Sequence, residues 1–489
     1  MSHSLNRKVV QATKWSAVTE VVAKLITPIT SMVLARLLTP EAFGVVTTIS
    51  MIITFAEIFT DAGFQKYIVQ HDFIDEIDQE QSTNVAFWSN LAMSMLIWSI
   101  IAIFCEPLAA LVGNPGLGIV VVVACAVIPL AAFSSIQMAL YRRNLDFKTL
   151  FKVRIVAICI PLFVTIPCAL LFRNYWALIF GMLARGIANA FFLTLYSKWK
   201  PRFFYSLSKL KEMFSFTFWS MIEAVSIWLT KYVDVFIVGT ILSQHYLGLY
   251  KTSSTLVGHL LGIITATVTP ILFSSLSRMQ NDENEFKQIF FKFQKIVAIF
   301  VFPIGVIIFS FNHLITSILL GDQWMEVAFY IGLWGLVRAM LIVYSHFSSE
   351  AYRAKGRPKL SVLAQWLYII VLWPTVLITI QYGFETLCVA RALITYELLL
   401  VNMVIMHFVV HISPLDMIKS TLPPLVSGGF MMIFAWLLLS VSRNDVWQIV
   451  CILLCILLYC VILCIFKEER TMFHERIQMI RSSSLLKIK

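Results

Sequence analysis

Charged residues are scarce in this chain: they make up 13% of its 489 residues, against 59% for hydrophobic ones. Soluble domains carry about 25% charged residues, so the composition excludes an ordinary soluble protein. The sequence also lacks a Gly-rich phosphate loop with its lysine, which excludes an ATPase motor within the chain. Its histidines are scattered, without the spacing of a metal site or of a Ser/His/Asp triad. We therefore predict no catalytic residues, no metal and no bound cofactor.

Disulfide bonds are not predicted either. The nine cysteines lie almost entirely inside apolar segments, and none shows a paired spacing in a loop. We interpret them as small buried hydrophobic residues.

Long apolar segments dominate what is present. A bilayer core needs about 20 apolar residues per helix, which predicts an all-α integral membrane protein with about 14 transmembrane helices. The candidate segments are 15–38, 41–64, 81–104, 116–139, 150–172, 174–197, 214–242, 247–276, 289–311, 326–349, 360–380, 384–410, 421–441 and 446–466. An even number of spans places both termini on the same side of the membrane.

Lysine and arginine cluster at one set of helix ends. Examples are Arg142 and Arg143, the segments 198–202 and 353–357, and the basic tail 467–489. Because cytoplasmic loops carry the excess of basic residues, we predict cytoplasmic termini. This asymmetry also explains the net charge of +11 without nucleic acid as a partner. The acidic stretch 71–80 is predicted to be a solvated cytoplasmic turn.

An internal repeat divides the chain. A shift of 204 residues places Trp15 on Trp219, Leu38 on Leu242 and Gly44 on Gly248. Six helices separate the copies, so the two six-helix repeats run parallel, as in transporters with a central site. The predicted domains are a cytoplasmic N-terminus (1–14), an N-lobe (15–197), a cytoplasmic linker (198–213), a C-lobe (214–410), two added helices (421–466) and a basic tail (467–489).

Basic residues inside the predicted helices need a reason, because a charge near the bilayer centre costs about 3 kcal/mol. Lys24 and Lys231 have acidic neighbours at helical spacing, Glu20 and Asp234, so local ion pairs and ligand contacts both explain them. Arg185 and Arg338 have no acidic residue within one helical turn. Each therefore needs either an acidic side chain from another helix or an anionic ligand to neutralise its charge. We expect a central cavity that binds a diphosphate, since arginine contacts phosphate in two places. Its candidate residues are Lys24, Arg185, Lys231, Arg338 and Arg391.

Acidic residues in the same helices have two open interpretations. They bind a coupling cation, H+ or Na+, or they are charge partners of the basic residues. The candidates are Glu20, Glu57, Asp61, Glu223, Asp234 and Glu397. Polar residues accompany them along the first two helices, at Thr27 and Ser31 and at Thr47, Ser50 and Thr54. Pro28 marks either a static bend or a hinge for alternating access.

Several motifs carry a resemblance to a known family. They include Leu34-Ala-Arg-Leu-Leu-Thr-Pro-Glu-Ala-Phe-Gly44, Phe59-Thr-Asp-Ala-Gly63, Tyr141-Arg-Arg-Asn-Leu-Asp-Phe147, Gly321-Asp-Gln-Trp324 and Gly356-Arg-Pro-Lys-Leu360. As a set, in this order, they resemble the Wzx-type polysaccharide flippases, which include O-antigen, colanic-acid and teichuronic-acid exporters. These belong to the multidrug/oligosaccharidyl-lipid/polysaccharide exporter superfamily.

The resemblance implies V-shaped lobes and a place in the bacterial inner membrane. It also implies that the chain flips an undecaprenyl-diphosphate-linked oligosaccharide to the outer face for surface polysaccharide synthesis. Partners would be the lipid bilayer, the lipid-linked glycan, a polysaccharide polymerase and a chain-length regulator. Rival functions are a cation-coupled multidrug exporter of the same fold, a flippase for the peptidoglycan precursor, and a membrane-embedded polymerase or ligase. Short predicted outer loops disfavour an enzyme.

Overall fold

The computed structural model describes residues 26–61, 64–71, 73–144, 146–357, 359–466 and 469–470, with positions 15, 19, 22 and 23. Throughout these residues the regular secondary structure is helical. The α-helices are α1 (Ile26–Leu37), α2 (Pro40–Asp61), α3 (Phe64–Gln70), α4 (Glu76–Ile103), α5 (Cys105–Leu111), α6 (Gly118–Cys125), α7 (Val127–Arg143), α8 (Phe147–Ile160), α9 (Ile166–Phe172), α10 (Trp176–Tyr196), α11 (Leu207–Ile241), α12 (Gln244–Arg278), α13 (Glu283–Ser310), α14 (Asn312–Leu319), α15 (Ala328–Leu341), α16 (Ser348–Ala354), α17 (Lys359–Thr379), α18 (Phe384–Val410), α19 (Pro414–Val441) and α20 (Asp445–Ile465).

The predicted all-α membrane fold is confirmed. In the part of the chain that the structure describes, 13 helical segments are long and apolar enough to cross a membrane. The first predicted span, 15–38, corresponds to α1, and much of its first half lies outside the described residues.

The observed helices extend beyond several predicted spans. α11 begins at Leu207 and α19 at Pro414, each seven residues before the predicted start. The hydropathy pattern marks the part of a helix within lipid, whereas the backbone hydrogen bonds continue into the polar residues outside it. Short π-helical turns, Pro161–Thr165 after α8 and Ile342–His346 after α15, were not predicted.

The prediction that 71–80 is a solvated turn is wrong for its second half. α4 begins at Glu76, and the Asp75 side chain caps it by accepting a hydrogen bond from the Asp78 backbone N–H. Asp78 also forms an ion pair with Lys209 of α11, and Glu80 pairs with Arg202 at 2.9 Å. These acids therefore hold the segment before α11 and its first turn against α4.

The described residues fall into two compact units. Unit 1 consists of Met1–Thr252 with Val376–Phe384, and unit 2 of Ser253–Thr375 with Glu385–Lys489. α11 belongs to unit 1, where it packs against α2, α3 and α4. The lobe and linker boundaries given by the repeat remain predictions.

In unit 1, a glycine joint connects the corner between α1 and α2 to the corner between α11 and α12. We define the joint by Pro40, Gly44, Gln244 and Gly248, with the pair Glu41–His245. A Cβ on Gly44 would lie 2.0 Å from the Gln244 carbonyl oxygen, and one on Gly248 would lie 1.8 Å from that of Pro40. Only glycine allows both backbone contacts.

The contacts within the glycine joint follow the 204-residue shift of the predicted internal repeat. Glu41 contacts His245, 204 positions away, through Oε1 and Nδ1 at 2.6 Å. The same shift relates Pro40 to Gln244 and Gly44 to Gly248, so each contact has a counterpart with its partners exchanged. Such reciprocal contacts are the signature of a two-fold relation between the two corners. The internal repeat is therefore visible in the packing of unit 1.

Unit 2 is centred on α13, which packs against α15 and α19. Gly305 of α13 faces the Ala339 Cβ, and Gly335 of α15 faces the Ile308 side chain, so small residues bring these helices close. The C-terminal helices attach to the same core, because the Tyr459 hydroxyl of α20 donates a hydrogen bond to the Ile299 carbonyl at 3.0 Å.

Candidate functional site

A cavity of about 270 Å³ in unit 1 contains Arg185, one of the predicted binding residues. Arg185 lies near the middle of α10, and Thr27 and Ser31 of α1 line the same cavity. Thr47 and Thr54 of α2 instead donate hydrogen bonds to the carbonyls of Phe43 and Ser50 in their own helix. The polar stripe of α1 thus faces the cavity, whereas these two hydroxyls of α2 are satisfied within their helix.

The π-helical turn after α8 shapes this cavity. Pro161 and Thr165 of the turn are among its lining residues, and α10 approaches the turn at Gly181. A Cβ at Gly181 would lie 1.9 Å from the Thr165 Oγ1. π-helical turns are rare within α-helices and occur frequently at functional sites.

Arg185 has an exposed side chain that forms no ion pair or hydrogen bond with any described residue. Its charge interacts unfavourably with that of Arg154 on α8 and favourably with that of Glu57 on α2. Arg154 lines the same cavity and was not among the predicted site residues. It lies one turn inside the predicted span 150–172.

A second cavity, of about 280 Å³, lies in unit 2 around Arg338. Arg338 is on α15, near the middle of the membrane segment Asp322–Ala354, and the following π-helical turn contributes Ser345 and His346. Asn402 of α18 lines the opposite wall and donates a hydrogen bond to the Ser345 hydroxyl at 2.9 Å. The Oγ of Ser361, also in the lining, is buried without a hydrogen-bond partner in the described structure.

Arg338, like Arg185, forms no ion pair or hydrogen bond with the described residues, and its side chain is exposed to this cavity. Its charge interacts unfavourably with that of Arg391. Arg391 donates a hydrogen bond to the Tyr368 hydroxyl, and its guanidinium lies 5.6 Å from the Tyr368 ring centre. Two arginines therefore share one polar region without a carboxylate bound to Arg338.

Of the two interpretations of Lys231, the local ion pair with Asp234 is not found in the described structure. Lys231 is exposed and has its ammonium 5.2 Å from the Tyr232 ring centre, and it makes no ion pair with the described residues. Asp234 is buried and accepts hydrogen bonds from the Tyr250 hydroxyl at 2.7 Å and from the Val235 N–H. The ammonium group of Lys251, on the next helix α12, lies 5.2 Å from the centre of the same Tyr232 ring. Asp234 is thus held by hydrogen bonds, and Lys231 remains available.

Among the predicted carboxylates, Glu397 is the informative one. It is half-buried on α18, and its Oε2 is buried without a partner in the described structure, so it does not neutralise Arg338 or Arg391. Glu57 takes part in the electrostatics of Arg185. Pro28 is buried near the start of α1. The hinge role of Pro28 and the coupling roles of the acids stay predictions.

Some predicted residues lie outside what the structure describes. Glu20 and Lys24 fall in the undescribed part of the first span, and the side chains of Asp61 and Glu223 are likewise outside the described set. The predicted convergence of basic residues from both lobes on one cavity therefore stays a prediction. Within the described residues, no cluster of His, Cys, Asp and Glu has the geometry to hold a metal ion.

Comparison with known proteins agrees with this picture of a membrane transporter. Residues 33–329 match the family described as "Polysaccharide biosynthesis protein". The chain is 22% identical over 341 residues to the succinoglycan biosynthesis transport protein ExoT of Rhizobium meliloti (strain 1021), covering 70% of this chain and 68% of that protein. It is 20% identical over 332 residues to the lipopolysaccharide biosynthesis protein WzxC of Escherichia coli (strain K12), covering 66% and 65% of the two chains.

Among solved structures, a lipid II flippase, MurJ, in an inward closed conformation has a similar fold. The TM-score is 0.76 at 14% sequence identity, covering 94% of this chain and 100% of the other. At this identity the likeness shows the fold alone. Together with a family match that spans more than half of its length, these findings show that the chain belongs to the polysaccharide biosynthesis protein family, as a membrane transporter and not an enzyme.

Proposed function

We propose that this protein flips an undecaprenyl-diphosphate-linked oligosaccharide from the cytoplasmic to the outer face of the bacterial inner membrane. The glycan would serve the synthesis of a surface polysaccharide.

One observation carries the proposal: Arg185 and Arg338 lie near the middle of membrane-spanning segments, and neither forms an ion pair with any residue that the structure describes. An unpaired charge at this depth is costly, and each arginine also has a second arginine close by. An anionic ligand would remove both penalties at once. A diphosphate suits the arrangement, because it offers several oxygens to the planar guanidinium fork.

The cavities also bear on the rival exporter function. A site for cationic drugs is expected to present carboxylates and aromatic rings, which attract positive charge. The cavity around Arg338 instead presents arginine, hydroxyl, amide and imidazole groups. Hydroxyls and amides also suit the hydroxyl groups of sugars.

A carboxylate would couple the step to an ion gradient. Glu397 supports this part of the proposal, because its unpartnered Oε2 is available to a proton or a sodium ion. Glu57 is a second candidate, through its electrostatic interaction with Arg185. After flipping, a polymerase and a chain-length regulator would use the oligosaccharide unit to build the surface polysaccharide.

The test is flipping by arginine variants in proteoliposomes loaded with a lipid-diphosphate glycan. Arg185→Gln and Arg338→Gln remove the charge but keep a polar side chain that can donate hydrogen bonds. We expect each variant to lose most of its flipping activity, and cells that depend on it to accumulate lipid-linked repeat units inside.

The matched control is Arg173→Gln, which removes an exposed arginine at the end of α9. It should leave flipping unchanged at equal membrane abundance. Normal flipping by the Arg185 and Arg338 variants would remove the anionic cavity from the mechanism. Flipping of a neutral glycolipid at the same rate as the diphosphate form would overturn the proposed substrate class.

A further inference from the structure

A third cavity shares no lining residue with the cavities around Arg185 and Arg338, and the proposed flipping function gives it no role. It lies in unit 2 and measures about 1,040 Å³. Ligand pockets in proteins typically measure about 300–1,000 Å³, so this volume suits a large ligand. Its walls come from the end of α13, the starts of α14, α15 and α20, and the last turns of α19.

The position of this cavity is that of a membrane–water boundary. α13 ends at Ser310, α19 ends at Val441 and α20 begins at Asp445, so spanning helices meet the solvent here. Trp436 lines the cavity with 71% of its surface exposed. Tryptophan is enriched at this depth, where its ring lies among lipid headgroups.

The floor of the cavity is apolar. It is formed by aromatic and aliphatic side chains that would exclude water from an acyl chain: Phe309, Phe311, Phe329, Met432, Ile433 and Leu439. The side chains of Phe329 and Ile433 are 50% and 56% exposed, and both residues lie in membrane-spanning segments. An apolar surface of this kind at a membrane boundary fits hydrocarbon chains.

The rim carries one charge of each sign. Arg443 and Asp445 both line the cavity, and neither forms an ion pair with any residue that the structure describes. The turn that bears them is fixed, because the Gln448 side-chain amide donates a hydrogen bond to the Arg443 carbonyl at 2.8 Å. The Trp447 indole N–H likewise donates to the Leu438 carbonyl at 3.0 Å. Both charges are therefore held beside the cavity.

Two further polar residues, Ser310 and Asn312, line this cavity. The Ser310 Oγ and the Asn312 Oδ1 are buried without a hydrogen bond in the described structure. The Asn312 amide nitrogen is already used, since it donates to the Phe309 carbonyl at 2.8 Å. Its oxygen therefore requires a donor, and the Ser310 hydroxyl can donate to an ester or phosphate oxygen.

We propose that this cavity binds a zwitterionic aminophospholipid of the surrounding bilayer, with its acyl chains on the apolar floor and its headgroup at the rim. Arg443 contacts the phosphate and Asp445 the ammonium group, so the headgroup supplies the charge that each side chain lacks. Neither an anionic phospholipid nor a polyisoprenyl diphosphate offers a cation to Asp445. The site is independent of the transported substrate and of the direction of transport.

The test uses quenching of Trp436 fluorescence in vesicles by lipids with brominated acyl chains. Subtracting the signal of Trp436→Phe isolates this residue from the other tryptophans. We expect brominated phosphatidylethanolamine to quench Trp436 several-fold more effectively than brominated phosphatidylglycerol with the same chains. Asp445→Asn should abolish that preference, and Arg443→Gln should weaken quenching by both lipids. Arg173→Gln, at the end of α9 in unit 1, is the control for loss of an exposed arginine.

Equal quenching by the two lipids, or a preference that survives Asp445→Asn, would overturn the proposal and indicate ordinary annular lipid. Displacement of brominated phosphatidylethanolamine by a polyisoprenyl diphosphate at lower concentration would also overturn it, because the cavity would then belong to the transport path. Retention of phosphatidylethanolamine by the wild-type protein in native mass spectrometry, with its loss from Arg443→Gln, would support it independently. Flipping activity is not the readout, so failure of the flippase proposal leaves this test interpretable.

Discussion

At the scale of single residues, the membrane-embedded arginines differ from ordinary structural charges in what surrounds them. A buried ion pair is neutralised by its partner, whereas Arg185 and Arg338 each face a cavity with another arginine near it. Like charges in a region of low dielectric repel strongly, and the fold tolerates them only with compensation. We attribute the compensation to an anionic substrate.

Substituting lysine for arginine separates charge from geometry. Arg338→Lys keeps the positive charge but loses the planar fork, so flipping should fall about tenfold, equivalent to roughly 1.4 kcal/mol of transition-state binding. The measurement is the initial flipping rate at equal reconstituted protein. Full activity of Arg338→Lys would mean that a positive charge at this position is sufficient. A loss as complete as that of Arg338→Gln would mean that the charge without the planar fork contributes little to flipping.

Glu397 offers a second prediction at this scale. If its carboxylate couples transport to a cation, Glu397→Gln should flip at a rate that no longer responds to a proton or sodium gradient. The wild-type rate should fall when an ionophore collapses the gradient. Asp416→Asn, in the first turn of α19, is a control acid in the same unit. A wild-type rate unaffected by both ionophores would remove ion coupling from Glu397.

At the scale of helices and turns, glycines determine how closely the repeats approach. Gly44 and Gly248 place backbone against backbone, which an alanine Cβ would prevent at distances of 2.0 and 1.8 Å. Both clashes involve carbonyl oxygens of helix starts, which cannot move as a flexible side chain does. The two corners must therefore separate or the helices must shift.

Gly44→Ala and Gly248→Ala should each destabilise the protein by about 1–3 kcal/mol, as expected for overpacking. The measurement is thermal unfolding in detergent. Gly429→Ala is the matched control, because a Cβ at Gly429 would meet nothing within 4 Å. Alanine favours a helix by about 1 kcal/mol over glycine, so the control should be neutral or slightly stabilised. Equal stability of all three variants would contradict the tight joint.

At the scale of the whole molecule, the proposed flipping step predicts a movement of the glycine joint. If the joint closes the transport path on its outer side, the joint must open during alternating access. The Glu41 Oε1 and the His245 Nδ1 meet in it at 2.6 Å. A disulfide between Glu41→Cys and His245→Cys should therefore stop flipping under oxidation, and reduction should restore it. Each single variant, treated alike, controls for the native cysteines. Undiminished flipping by the fully cross-linked protein would show that this joint stays closed throughout the cycle.

Much of this architecture was predictable because a bilayer imposes simple constraints on a sequence. Long apolar segments and unequal basic residues at their ends follow from the cost of charge in hydrocarbon. The repeat was visible as well, since Gly44 and Gly248 are constrained by the same close contact. Arg185 and Arg338 stood out because their own helices offer no acid nearby.

The remaining features depend on which helix faces lie together. Arg154 was not among the predicted site residues, since only the packing of α8 beside α10 places it in the same cavity as Arg185. The sequence left open whether Asp234 pairs with Lys231; in the described structure Tyr250, on the next helix, donates a hydrogen bond to Asp234. The π-helical turns and the cavities beside them had no recognisable sequence signal.

By itself, therefore, the sequence determined an all-helical membrane transporter with an internal repeat and charges that require an explanation. Hydropathy and charge along a helix depend on the residues of that helix alone. Each helix must therefore be compatible with the bilayer by its own sequence. Only the tertiary structure decided which charges are neutralised and which face a cavity, because that depends on side chains supplied by other helices. Arg338 owes its assignment to that second step, because it is exposed to a cavity and no carboxylate among the described residues binds it.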